Sequence, residues 1–192
     1  MPLQGATLLP HALMPLRIFE PRYRKMLRHA LEGDRLLCIA QIKPGLDEAR
    51  TTDDFLHTAG LGVIRACITM DDGTSNLILQ GLARVSFTCF PQESPFRIAE
   101  LRTLLSQPAN EDEIQELNAK LLNLCTQLRA AGFPVADHFD HQLAQLASPE
   151  AVGDFLAHHL LQHPGHRQQI LEETHPIQRL NLLLRLLKTE SA

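Results

Sequence analysis

The chain holds no tryptophan and a single tyrosine, Tyr23. Stacked aromatic platforms of the kind that hold single-stranded nucleic acid are therefore disfavoured. Glycine never precedes lysine, so there is no phosphate-cradling P-loop. A GxSxG elbow and the kinase signatures are missing as well. No stretch approaches the ~20 apolar residues that cross a bilayer. The opening residues Met1-Pro2-Leu3-Gln4-Gly5 lack the charged start and apolar run of a secretory leader. The four cysteines, Cys38, Cys67, Cys89 and Cys125, form no CxxC pair. Without an export signal they are expected as buried thiols rather than disulfides, in a cytoplasmic protein. The net charge of -4 argues against general binding to nucleic acid or to an anionic membrane.

What remains is an ordinary globular composition, 44% hydrophobic and 21% charged, over 192 residues. The periodicity changes near residue 106. Before it, short apolar runs alternate with turn signals. Arg35–Ile42 reads as a strand closed by Lys43-Pro44-Gly45, and Gly62–Met70 reads as another. Asp71-Asp72-Gly73 supplies hairpin chemistry, with Ser75–Gln80 as the return strand. Arg84–Phe90 alternates with period two, which predicts Val85, Phe87 and Cys89 on one face. Phe96–Leu101 follows a turn containing proline. One helix interrupts these strands. Glu20-Pro21 opens it, Tyr23, Met26, Leu27 and Ala30 make its apolar stripe, and Gly33 stops it.

After residue 106 the spacing is helical. Asn110 and Glu113 mark a start, and Ile114, Leu117, Leu121, Leu124 and Leu128 form the stripe that Gly132-Phe133-Pro134 ends. Ser148-Pro149-Glu150 is a second start, with a capping hydroxyl, a first-turn proline and an acid for the helix dipole. Val152, Phe155, Leu156 and Leu160 follow it, and His163-Pro164-Gly165 breaks that helix. A last helix begins near Pro176, with Ile177, Leu180, Leu184 and Leu187 packed.

Several features invite a chemical reading. Gly60-Leu61-Gly62 lacks the third glycine of a dinucleotide loop and leads into a strand, so a strand-entry turn or bulge is expected there. His159 and His163 stand four apart, a spacing that on a helix lets two imidazoles share a metal, with His158, His166 and His175 nearby. Leu160 occupies the position of a metalloprotease's glutamate base, however, and a solvated helix end is the plainer expectation. The run Asp137-His138-Phe139-Asp140-His141 reads as a capped turn or helix edge. Between Arg17 and Arg28, five basic residues face Glu20 alone, a local balance of +4. No catalytic residue, metal ligand or cofactor site is expected from these patterns.

Leu8-Leu9-Pro10 and Leu13-Met14-Pro15-Leu16-Arg17-Ile18-Phe19-Glu20-Pro21-Arg22-Tyr23 resemble the "LPL-IFEPRY" opening of the Lon protease N-terminal (substrate-binding) domain family, in particular its free-standing bacterial members without ATPase or peptidase domains. Gln80-Gly81-Leu82-Ala83-Arg84 is similar to the family's "GLxR" segment. Ser148–Leu160 resembles the helix carrying "LADxIAxxL", and Gln168–Glu172 with Arg179–Leu187 resembles the "KQxxLE…RLxxLLxLL" ending. His11 departs from the family, which commonly places glycine there, and this leaves the geometry of the first loop open. The resemblance implies an α+β chain: a PUA-like antiparallel β-barrel with one inserted helix over residues 1–105, then a helical bundle over 106–192. It further implies a non-catalytic module that binds polypeptide segments or a partner protein, with no residues to carry over for catalysis. Arg17, Phe19, Arg22 and Tyr23 are the candidate contacts, because this string combines basic and aromatic groups. Phe19 and Tyr23 as core residues is the competing expectation. Two other readings stand beside it: RNA or nucleotide binding through the barrel, and a metal-dependent enzyme using the C-terminal histidines. A homodimer through the leucine-rich last helix is also considered.

Overall fold

Proline at a first helical turn and an extended residue before it recur along this chain, and they set most of its helix starts. The computed structural model describes residues 1–135 and 138–191. Its elements run β1 (Pro2–Leu3), β2 (Leu13–Ile18), α1 (Pro21–Glu32), β3 (Leu36–Gln41), β4 (Thr58–Thr69), β5 (Ser75–Gln92), β6 (Ile98–Thr103), α2 (Glu111–Ala130), α3 (Phe139–Ala144), α4 (Pro149–Leu160), α5 (Pro164–Glu172) and α6 (Pro176–Glu190). By its contacts the chain divides into two units, Met1–Leu104 and Leu105–Ala192.

In the first unit, α1 buries Tyr23, Met26, Leu27 and Ala30, the stripe expected from the sequence. The strands form one six-stranded sheet in the order β1-β3-β4-β5-β2, with β6 also on β5. The expected barrel is not closed. One edge of β5 is shared, with β2 along Ser75–Gln80 and β6 along Val85–Gln92. At the other end of the path, β1 covers only Ala40 and Gln41 of β3. No ladder joins these two ends among the described residues. Two strands expected as separate also merge, since β5 runs unbroken through Gly81-Leu82-Ala83. Strand β2 was not anticipated, because Pro15 sits within it; an edge strand tolerates proline where a central one does not. Cys89 leaves the face expected for it: the ladder shifts register between Phe87 and Cys89, so Val85 and Phe87 are buried while Cys89 is exposed.

Leu8, Leu9 and Ala12 are fully buried although their segment belongs to no strand. The segment crosses the sheet against Gly60 and Gly81, where a Cβ would fall 1.9 Å from the Leu8 carbonyl oxygen and 2.0 Å from that of Leu9. The Gly81 backbone holds the crossing in place: His11 N donates to Gly81 O at 2.9 Å, and Gly81 N donates to Ala12 O at 2.9 Å. A bulge between Leu61 and Gly62 lies beside it, as expected for that glycine pair. His11 turns the segment with φ of 65°, the left-handed region where a Cβ is crowded and glycine is not. His11→Gly is therefore expected to raise stability by up to about 1 kcal/mol, net of the extra freedom glycine has when unfolded. Urea unfolding checks this; an unchanged midpoint would mean that the imidazole offsets the backbone strain.

In the second unit, Asn110 caps α2 by accepting from Glu113 N at 3.1 Å, and Ser148 caps α4 by accepting from Ala151 N at 3.2 Å. The stripe of α2 buries Cys125 with Ile114, Leu117, Leu121 and Leu128, leaving Leu124 half-buried. His163-Pro164-Gly165 ends α4 as expected but also starts α5, a further helix beyond the three expected in this half. Helix α6 packs on α2, α4 and α5. That packing buries Leu180, Leu183, Leu186 and Leu187, so most of the leucine surface considered for a dimer is already used. Beneath it lies an ion network. Arg179 is 2% exposed, reaches Glu150, donates to Glu173 O at 2.9 Å, and has Asp154, itself 3% exposed, 3.8 Å from its Nε. Among the described residues no helix is long and apolar enough to cross a membrane.

Candidate functional site

The open side of the sheet holds a cavity of about 390 Å³ in the first unit. Its volume lies within the range of roughly 300–1,000 Å³ usual for sites that take ligands. Met26 and Ala30 of α1 form one wall, Leu37 and Cys38 of β3 a second, and Ile98, Ala99 and Leu101 of β6 a third. The back wall is aromatic. Phe55 meets Phe87 edge-on at 5.7 Å and Phe90 at 5.8 Å, and Phe87 lies 5.3 Å from Phe90. At the mouth, Phe96 lies 5.5 Å from the His29 ring. These rings and aliphatic chains present apolar surface that water solvates poorly.

The ionisable groups that line the cavity are the Met1 amino group, His29, Asp34, Arg97 and the Cys38 thiol. Met1 N donates to Cys38 O at 2.7 Å, and Tyr23 Oη donates to Pro2 O at 3.3 Å, which ties α1 to β1. Arg97 lies over the Phe55 ring at 5.6 Å and donates to Arg50 O at 2.7 Å and to Ala49 O at 3.4 Å. Burial pushes the Cys38 thiol up to about 11, so Cys38 lines the wall as an apolar group rather than as a nucleophile. Burial likewise raises the Cys125 thiol. Cys89 is also raised, by its hydrogen bond with Glu100, but it is exposed. All four thiols are free, and the expectation of burial holds for Cys125 alone without qualification. At mild alkaline pH a maleimide is expected to label Cys89 at least about tenfold faster than Cys38. Equal rates by mass spectrometry would contradict the burial of Cys38.

The four residues singled out from the sequence do not form one site. Arg17 on β2 lines a shallow apolar groove with Pro15, Ile68 and Ile78, and Phe19, just beyond β2, is 58% exposed. Tyr23 is buried, so for that residue the core reading holds. Arg22 lies over the Tyr23 ring and pairs with Glu20 at 2.8 Å and Glu48 at 3.0 Å. Arg24 donates to Phe19 O at 2.8 Å and to Asp72 O at 3.2 Å. The basic run therefore spends two of its five cations on internal contacts. The cavity escaped the sequence reading because its walls come from α1, β3, β5 and β6. The signal available was weak: five of the eight phenylalanines, Phe55, Phe87, Phe90, Phe96 and Phe19, fall in the first half, and four of them line this one cavity.

The histidine pair is separated by the fold. Helix α4 ends at Leu160, so His159 is on it while His163 caps α5, accepting from Gly165 N at 3.1 Å. His159 packs on Phe155 at 4.3 Å and Phe139 at 5.4 Å, and burial, with the nearby His138, lowers its pKa. His166 pairs with Glu190. In the second polar run, Asp140 takes a two-pronged ion pair from Arg129 and His141 bonds Gln145; Asp137 lies outside the described residues. No group of three or more His, Cys, Asp or Glu could hold a metal ion among the described residues.

The first unit thus joins a mixed sheet and one helix around a largely apolar cavity, with Asp34, Arg97 and the Met1 amino group among its lining. Residues 1–189 match the model of the ATP-dependent protease La (LON) substrate-binding domain, and the chain belongs to that family. It is 26% identical to the Lon protease of Xanthomonas oryzae over 99% of its own length and 22% of that protein's. It is 23% identical to the Lon protease of Dictyoglomus thermophilum over 90% of its length, again 22% of the relative. The chain thus spans under a quarter of the curated relatives it matches. In fold it is similar to the N-terminal domain of a Mycobacterium avium complex Lon protease, with a TM-score of 0.73 and 18% identity over 98% of this chain and 96% of that one. A Lon N-terminal domain protein from Xanthomonas campestris gives 0.66 and 23% over 96% and 95%.

Proposed function

We propose that this chain is a substrate-recognition module that binds segments of polypeptide, and that the cavity between α1, β3 and β6 receives their apolar side chains. The observation that carries the reading is the cavity itself: an open apolar space in the first unit of a chain from the substrate-binding family. Folded proteins bury their large apolar side chains, so a site of this kind discriminates unfolded or extended segments from folded ones. It needs no chemistry of its own, because the bound chain is held and not altered. The direct test uses a globular protein that is reduced and carboxymethylated so that it stays unfolded. It is expected to bind, its native form is not, and Ala99→Trp, which fills the cavity, is expected to weaken binding about tenfold or more, on the order of 1.4 kcal/mol. Equal affinity for native and unfolded forms, or no effect of Ala99→Trp, would remove this site.

A further inference from the structure

The cavity meets its flanking strands at their edges. Leu36, Leu37 and Cys38 follow one another on β3 and all line it. On β6 the neighbours Ile98 and Ala99 line it together with Leu101. Successive residues of a strand point to opposite faces, so a space lined by neighbours from both faces lies beside the strand and not above it. The β6 edge is open at this place, whereas on the β3 edge Met1 N already occupies the Cys38 carbonyl. Strand β1 pairs with Ala40 and Gln41 and stops short of Leu36. Among the described residues β6 pairs with β5 alone, and it is exposed from Glu100 to Thr103. An open edge carries a row of backbone donors and acceptors ready for another chain.

Resting on the reading just given, we propose that the bound segment is extended and adds to the free edge of β6 as a further strand, with every second side chain entering the cavity. The backbone of the ligand would supply most of the affinity, and the cavity would select what stands at alternate positions. Charge sets the chemistry of those positions. The guanidinium of Arg97 is engaged by two backbone carbonyls and lies over Phe55, the Met1 amino group is engaged by the Cys38 carbonyl, and apart from His29 and Asp34 the remaining lining is aliphatic and aromatic or glycine. Against the mostly apolar lining a charged side chain would lose more water than it regains in contacts, so large apolar residues fit better than acidic or basic ones. The ligand class is therefore an extended polypeptide with aromatic or branched aliphatic residues at alternate positions.

The probe is an acetylated, amidated peptide about six residues long, the length of an ordinary strand, with phenylalanine at alternate positions and lysine at both ends. A second peptide of the same sequence carries N-methyl groups on alternate amides, which removes donors on one edge while keeping every side chain. Two such methylated peptides cover the two edges. Calorimetry is expected to show that one of them loses at least about tenfold in affinity. Amide exchange of the unmodified protein gives a readout without a variant: the unmethylated peptide is expected to slow β6 amides between Ile98 and Thr103 about tenfold or more. If the peptide binds and Ala99→Trp weakens it, but neither methylation nor β6 exchange responds, strand addition is overturned and the cavity reading stands. If the peptide does not bind, both fall.

Discussion

Gly81→Ala is expected to unfold the first unit, or to cost it well over about 3 kcal/mol, an effect in the range that marks a specific steric failure. The added Cβ would lie 2.0 Å from the Leu9 carbonyl oxygen and 3.2 Å from the Pro10 Cα. These are backbone atoms, so no side-chain rotation relieves the overlap; the whole crossing segment must lift from the sheet. Lifting it breaks two hydrogen bonds to Gly81 and exposes Leu8 and Leu9, both fully buried. Gly45→Ala is the matched control. Gly45 has φ of 85° but open space around it, so it is expected to cost only about 1 kcal/mol of backbone strain. Chemical unfolding of the two variants separates crowding from strain, and equal losses would show that the Leu8–Ala12 segment does not lie on Gly81.

Arg179→Met is expected to destabilise the second unit by about 3–5 kcal/mol. The substitution preserves much of the side chain's volume and removes its charge. It would leave Asp154, 3% exposed, without the cation beside it, and would release Glu150 and the Glu173 carbonyl. Burying a carboxylate without its partner is costly, whereas a well-packed apolar replacement of the whole pair is often neutral. Pairing Arg179→Met with Asp154→Leu should therefore recover a large part of the loss. A double variant no more stable than the single one would mean that Asp154 is held chiefly by other groups.

These two sites differ in how far they could be read in advance. The "GLxR" string marked Gly81 as part of a family pattern, but its role depends on Leu9, seventy-two positions earlier. Arg179 lay in a stretch that reads as amphipathic, where a cation is ordinarily assigned to solvent. Only the meeting of α4 with α6 puts it beside Asp154. The candidate contacts fared the same way. Phe19 and Tyr23 are four apart in one string, yet α1 begins between them at Pro21, leaving Phe19 exposed before the helix and Tyr23 buried on it. The His159–His163 spacing failed because Pro164 closes α4 at Leu160, which removes the helix that would have placed the rings together.

What the sequence determined by itself is local. The starts at Pro21, Asn110-Glu111, Ser148-Pro149 and Pro176 are set by caps and prolines within a few residues, and the buried stripe of α1 follows from a 3.6-residue period. The tertiary structure alone decided that the sheet stays open, that a loop crosses it on two glycines, and that rings from Phe55, Phe87, Phe90 and Phe96 share one cavity with α1. Those outcomes depend on pairings between distant segments, whose registers no local pattern encodes, because a one-residue slip exchanges the inner and outer faces of a strand.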